Sequence, residues 1–413
     1  VTSGIAPSHA SRTERGMLTT AEALQAVLTN STVAKTEKLA TDNVTGRVLR
    51  ETVVAERNQP PFDRVMMDGI AFAWSDYEAG ERRFPIQAMQ AAGDAVLKLD
   101  AGHCIEIMTG AALPENANCI VPVERLTVAD GVASIEDGYA VKKDRFVHPE
   151  GSDYGKGAHL LNPGTRISPL DIAIIASAGV TEVAVSANPA IRVISTGNEL
   201  VPAGNTIKDH QVRMSNGPAI VSLLESHGFR DTRHDHIVDD INILRERLQA
   251  HLDEADVLVL SGGVSMGKAD YVPAVLAELD VEIVFHKVSQ RPGKPMWFGI
   301  GPNGQRVFAL PGNPVSALVC CRQYVIPSLE KSSDVVRRAP EFAALASNVS
   351  FKPDLTCFQP VKLVSSAAGQ QLAMPVKTNT SGDFASLSGT DGYVELPREQ
   401  TEFPAGTPVF LHR

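Results

Sequence analysis

Leu260-Ser261-Gly262-Gly263-Val264-Ser265-Met266-Gly267 is the stretch on which the reading of the fold turns. It follows the apolar run Asp256–Leu260 and precedes a helical pattern over Ala269–Leu279. A short apolar run that breaks at glycine reads as a buried strand leading into a helix. Adjacent glycines let backbone approach a ligand closely. The free N–H groups at a helix start favour phosphate or another oxyanion. Taken alone, a Gly-Gly pair is read first as a tight turn with no ligand, because short motifs recur by chance.

Working outward, the same grammar repeats. Ile191–Ser195 is an apolar strand that ends in Ser195-Thr196-Gly197-Asn198-Glu199. Asn216 to His227 reads as a helix closed by Gly228. Val281–Phe285 and Val307–Leu310 are further strands, the second ending in Leu310-Pro311-Gly312-Asn313-Pro314, where Pro314 opens the next helix. Alternating strands and helices build a parallel sheet covered on both faces. Ligands gather at the carboxyl ends of such strands, so three glycine-bearing turns are expected on one rim.

The flanking regions differ in character. Thr19-Thr20-Ala21-Glu22 has capping-box spacing, and Leu24, Val27 and Leu28 continue at helical intervals. From Gly46 to about Glu150, β-prone runs such as Ala117–Val123 alternate with turn residues. Ser168-Pro169-Leu170-Asp171 opens another helix, which Gly179 closes. Beyond Ser333, short strands are expected at Phe358–Leu363, Gln371–Pro375 and Gly392–Leu396. The expected fold is a multidomain α/β protein. Residues 17–45 and 151–189 form a discontinuous mixed domain, 46–150 a β-rich domain, 190–333 a central parallel α/β sheet domain, and 334–413 a small C-terminal β domain.

Composition narrows the function classes. A length of 413 residues with 43% hydrophobic and 21% charged content suits a globular protein of several domains. The net charge of -10 and the 5% aromatic content argue against a nucleic-acid partner. The 5 cysteines contain no Cys-x-x-Cys pair, which speaks against disulfides and structural zinc and for a reducing compartment. No run is apolar enough to span a bilayer, and the N-terminus lacks a signal-peptide core, so a cytoplasmic location is expected.

Candidate chemistry lies beside the three turns. Glu199 and Asp270 could hold Mg²⁺, which takes one or two carboxylates together with phosphate oxygens and water. Asp239 and Asp240 are another pair, although one of them serves equally well as a helix cap. In Gln290-Arg291-Pro292-Gly293-Lys294-Pro295, two cations on a stiff turn would offset an anionic substrate, or simply face solvent. Asp68 and Thr109 read as turn residues, and the 11 histidines show no metal-binding spacing.

In order along the chain, several segments resemble the molybdopterin molybdenumtransferase family, which includes bacterial MoeA and the gephyrin E domain. They are Met67-Asp68-Gly69, Ile107-Met108-Thr109-Gly110-Ala111, Gly151-Ser152-Asp153, Ser195-Thr196-Gly197-Asn198-Glu199-Leu200, the Gly262-Gly263 stretch with Asp270, Arg291-Pro292-Gly293-Lys294-Pro295, and Leu310-Pro311-Gly312-Asn313-Pro314-Val315-Ser316. Thr380-Ser381-Gly382-Asp383 adds a C-terminal match. Val65 and Ile70 stand where the family usually carries Ser and Tyr, and Asn198 where Asp is common.

The resemblance implies a homodimer that converts adenylated molybdopterin and molybdate, with Mg²⁺, into molybdenum cofactor and AMP. It implies catalytic roles for Glu199, Asp239 and Asp270 at the Mg²⁺ and phosphate end, with Glu199 and Asp270 as metal ligands. Asp68, Thr109 and Asp153, also implied to be catalytic, would come from the β-rich half of a partner chain. Gly262, Gly263, Ser265, Arg291, Lys294, Pro311, Gly312, Asn313 and Pro314 would bind substrate. It also implies handover of the pterin from a molybdopterin adenylyltransferase. That adenylyltransferase activity itself, or a non-catalytic pterin-binding scaffold on the same fold, are the competing readings.

Overall fold

The computed structural model describes residues 17–263, 271–337 and 339–413. Its centre is one sheet of Ile191–Thr196 (β1), Thr232–Ile237 (β2), Val257–Ser261 (β3), Glu282–His286 (β4), Trp297–Ile300 (β5) and Arg306–Leu310 (β6). The order is β2-β1-β3-β6-β5-β4. Every residue of β1, β3 and β6 is buried. These central strands are covered on both faces, which is why they read as continuous apolar runs.

Asn216–Ser226 (α1) and Pro314–Cys320 (α4) cover one face, with Ile220, Leu224 and Ala317 packed on Val193, Val259 and Phe308. Ile241–Glu254 (α2) and Val272–Glu278 (α3) cover the other, with Leu244, Leu248 and Val275 on Ile194, Leu258 and Val307. Burying a side chain of this kind contributes about 1.5–3 kcal/mol. The strand β2 pairs in parallel with β1, β1 with β3, and β3 with β6. The last two partners are antiparallel: β6 with β5, and β5 with β4. The sequence suggests parallel strands throughout and singles out neither β2 nor β5. The loop from Ile300 to Arg306 is too short for a crossover, so the chain can only fold back as a hairpin.

The N-terminal helix Thr20–Thr29 is capped as expected: Thr19 Oγ1 accepts from Glu22 N at 3.2 Å, and Glu22 Oε2 accepts from Thr19 N at 2.9 Å. Its Ala23 and Val27 pack on the α/β core beside Ile220 and Leu329. The chain then crosses to a second core, where Thr36–Ala40 pairs antiparallel with Glu182–Ser186. Leu49, Val53, Leu161, Ile167, Ile175 and Val183 fill that core beneath the helix Pro169–Ser177.

The β-rich region is a six-stranded sheet ordered Cys119–Pro122, Gly69–Phe72, Cys104–Ile107, Arg83–Gln90, Val132–Ile135, Leu126–Ala129. Ile70 and Phe72 face one apolar cluster, and Ala71, Ile105 and Ile107 face another.

The C-terminal strands close into a ring. Thr356–Ser365 pairs with both Gln371–Pro375 and Gly392–Leu396, and Glu341–Leu345 and Pro408–His412 complete the circuit. Closure removes exposed sheet edges. Gln290–Arg291, from the α/β region, adds itself in parallel to Thr356–Cys357.

Candidate functional site

The three glycine turns leave adjacent strands at one level, since Ser195 is the register partner of Ser261, and Ser261 of Leu310. Gly262 N donates to Leu310 O at 3.4 Å. At Gly262 φ is +100°, and a Cβ there would lie 2.8 Å from Thr196 O. A side chain is therefore excluded both by backbone conformation and by the close approach of the first turn. A Cβ on Gly312 would touch Gly262 Cα at 3.8 Å, so the third turn packs on the second.

Asn216, at the start of α1, ties the rim together. Its Nδ2 donates to Ser261 Oγ at 2.8 Å and to Gly312 O at 2.8 Å. Its Oδ1 and the buried Thr196 Oγ1 have no hydrogen-bond partner among the described residues. Sequence reasoning missed Asn216; the only signal was an amide opening a helix that starts near a strand end.

The acids divide by role. Asp240 caps α2, accepting from Asn242 N at 2.9 Å and Ile243 N at 3.1 Å. Asp239 instead faces the first turn: Asn198 N donates to Asp239 Oδ2 at 3.2 Å, and Asp239 N donates to Asn198 Oδ1 at 3.1 Å. Glu199 is exposed in the same turn. Ser265 and Asp270 lie outside the described residues.

Among the described residues there is no group of three or more metal-ligating side chains. The donor set that is present, Glu199 with Asp239 on the neighbouring loop, is hard oxygen. It suits an ion such as Mg²⁺ that keeps water and substrate phosphate as its remaining ligands. Thiolate chemistry is disfavoured: all five cysteines are buried and free, and burial pushes Cys104, Cys119, Cys321 and Cys357 up to about 12.

Arg291 and Lys294 are exposed on their turn. The turn is fixed by Val288 N donating to Lys294 O at 2.9 Å and by the strand pairing to Cys357. The neighbouring Pro311 is buried, while Gly312 and Asn313 are exposed and Pro314 is half-buried. Asn313 Nδ2 donates to Ser381 Oγ at 2.8 Å, and Val315 N donates to Ser381 O at 3.1 Å. The Thr380–Asp383 loop of the C-terminal ring is thereby latched to the third turn.

A second group forms in the β-rich half. Thr109 N and Thr109 Oγ1 both donate to Asp68 Oδ1 at 2.6 Å. The Thr109 hydroxyl, and then its amide, hold the Asp68 carboxyl below the usual carboxylate range. Asp68 is placed by Gly69, whose missing side chain lets Val121 O press against it.

Asp153 accepts from His148 Nε2 at 3.0 Å, while Arg64 Nη2 lies 2.9 Å from His148 Nδ1. An arginine can only donate, so Nδ1 is the acceptor and Nε2 carries the proton. Val65, next to Arg64, exchanges backbone bonds of 2.9 Å with Ala111 and Gly110. Asp68, Thr109 and Asp153 are thus joined through one stretch of backbone. His148 was not identified from sequence, where it showed no distinctive spacing. Val65 and Ile70 are each 1% exposed and fill apolar clusters. Among the described residues, no hydrogen bond or ion pair links Asp68, Thr109 or Asp153 to the glycine rim.

Family models match nearly the whole described chain. A MoeA N-terminal region (domain I and II) covers residues 18–179, a probable molybdopterin binding domain covers 192–331, and a MoeA C-terminal region (domain IV) covers 343–412. A molybdopterin molybdenumtransferase from Synechocystis sp. is 41% identical over 88% of this chain and 92% of its own. One from Synechococcus elongatus is 32% identical over 88% of this chain and 91% of its own. The crystal structure of a molybdopterin biosynthesis MoeA protein from Pyrococcus horikosii superposes with a TM-score of 0.79 at 29% identity, covering 96% of this chain and 99% of that one. With the three glycine turns meeting on one rim and these relatives matched from the N-terminal helix to the C-terminal ring, the chain belongs to the molybdopterin molybdenumtransferase family.

Proposed function

We propose that this chain transfers molybdenum from molybdate to adenylated molybdopterin, releasing AMP. The observation that carries the reading is the rim itself, where Gly262 and Gly312 present backbone at adjacent strand ends beside the buried Gly197 of the first turn, with Glu199 and Asp239 on one side. Two anionic reactants need amide donors, cations and a counter-ion together. The Gly262, Gly263, Pro311, Gly312, Asn313 and Pro314 segments supply the amides and walls, and Arg291 and Lys294 supply the positive charge.

Glu199 and Asp239 are the described carboxylates that would hold Mg²⁺, with Asp270 as the further ligand expected from sequence. Bound there, the ion would offset the pyrophosphate charge and so favour AMP as a leaving group. The protein orients both substrates, and the dithiolene sulfurs of the pterin receive the metal.

Asp68, Thr109 and Asp153 are assigned to the rim of a partner protomer in a homodimer. In support, they form a connected group that makes no bond to the rim of their own chain among the described residues. The pterin would arrive from an adenylyltransferase in the same reducing, cytoplasmic setting. No helix among the described residues is long and apolar enough to cross a membrane. The adenylyltransferase alternative leaves the β-rich half and the C-terminal ring without a task, whereas the matched relatives span both.

Incubating the purified chain with adenylated molybdopterin, sodium molybdate and Mg²⁺ should release AMP in step with molybdenum incorporation. ATP consumption in place of AMP release would establish the adenylyltransferase instead. Pterin binding with no AMP release would establish a scaffold.

A further inference from the structure

The turn that bears Arg291 and Lys294 rests on a buried polar network for which neither charge nor solvation offers a reason. Gln290 and Tyr324 are 0% exposed, as is Cys320 on α4. Tyr324 Oη donates to Gln290 Oε1. Gln290 Nε2 donates to Pro292 O at 3.0 Å and to Cys320 Sγ at 3.4 Å. Cys320 Sγ in turn donates to Gly293 O at 3.6 Å. Both amide hydrogens of Gln290 are engaged, and the network ends on two successive carbonyls of the turn.

A buried primary amide is costly unless fully bonded, and an apolar residue of similar volume would fill the same space. The work the amide does is therefore directional: it fixes the Pro292 and Gly293 peptides. Those peptides lie between Arg291 and Lys294 and set the direction in which the two cations leave the backbone. The same helix, α4, begins in the Pro311–Pro314 turn. One rigid element thus carries both the wall of the rim and the anchor of its cations.

We propose that Gln290, Cys320 and Tyr324 are positioning residues that set the affinity of the site for the tetrahedral oxyanion by aiming Arg291 and Lys294. The proposal rests on the transferase reading given above. It assigns the network to the oxyanion and not to the adenylated pterin. Geometry of this kind matters because a charge-assisted bond weakens steeply once its donor is turned away from the acceptor, while the fold survives.

The test compares Tyr324→Phe, Gln290→Met and Cys320→Ala with the wild-type chain. Tyr324→Phe should raise the KM for molybdate roughly five- to tenfold, the effect of one buried hydrogen bond. kcat and the KM for adenylated molybdopterin should stay within about twofold. In an Arg291→Gln background the same substitution should add little, because the network acts through that side chain.

A purely structural role would lower the melting temperature and shift all three kinetic parameters together, or none; either result overturns the proposal. If Tyr324→Phe does not fold, Cys320→Ala, which removes only the two weak sulfur bonds to Gln290 and Gly293, carries the test. Calorimetric titration with sodium molybdate alone separates the two readings. A wild-type chain that binds molybdate but releases no AMP refutes the transferase function. A Tyr324→Phe chain that binds molybdate as tightly as wild type refutes the network.

Discussion

Asn216 is the side chain on which the rim depends most directly, and its removal gives a graded prediction. Asn216→Ala deletes two hydrogen bonds of 2.8 Å, one to Ser261 Oγ and one to Gly312 O. Each bond contributes about 0.5–1.5 kcal/mol net, so together they amount to about 1–3 kcal/mol. If that energy holds the second and third turns in the reactive geometry, kcat/KM for AMP release should fall roughly 5- to 150-fold.

The partner variant is Asn216→Asp, which keeps the shape and removes the donors. A carboxylate would then face the Gly312 carbonyl that the amide now serves. That repulsion raises its pKa above the ordinary value of about 4. Below the raised pKa the group is a carboxylic acid and can donate again. The Asn216→Asp deficit should therefore shrink as the pH falls, while the Asn216→Ala deficit should not. Steady-state AMP release between mildly acid and neutral pH, beside a thermal melt of each variant, reads both effects. If Asn216→Ala leaves kcat/KM within twofold of wild type and the melt unchanged, the turns do not depend on this clamp.

Three further outcomes follow from the site. Asp240→Ala should cost about 1 kcal/mol of stability through the lost cap and leave AMP release intact, whereas Asp239→Ala should reduce AMP release tenfold or more with a smaller change in the melt; the reverse pattern would reassign the two acids. Thr109→Val removes the first cause of the lowered Asp68 pKa, so Asp68 should protonate at a higher pH. The acid limb of kcat/KM should move upward, and an unmoved limb would take Asp68 out of the rate. Chelation with EDTA should abolish AMP release, and Mg²⁺ should restore it; activity that persists in EDTA would exclude the ion.

The parts of this protein that could be read from its sequence are those whose causes are local. β1, β3 and β6 declared themselves as apolar runs because they are buried on both faces. Their loops followed from glycine at the strand ends, and their convergence from the parallel order. Strand β5 was missed because Gly299 interrupts a run of only four residues, and its antiparallel pairing is imposed by a short loop, not by composition.

The helix at Thr20–Thr29 could be read as capped and amphipathic. Amphipathicity says that a face is buried but not against what, and Ala23 and Val27 meet the α/β core. Asn216 reaches Ser261 and Gly312 across 45 and 96 residues of chain. No periodicity encodes such a contact. His148 beside Asp153 is the counterpart: the two are close in sequence, but Arg64, which fixes the tautomer, comes from a strand 84 residues away.

The seam between α4 and the C-terminal ring means that the last eighty or so residues are no excisable module. Val315 and Val319 share an apolar patch with Phe358 and Tyr393, and backbone bonds cross the seam from Ser381 to Val315 and from Ser289 to Thr356. A chain cut after Ser333 would bare that patch and strip the third turn of its outer support. The ring is a buttress, and the rim it braces stands only while the two are one piece.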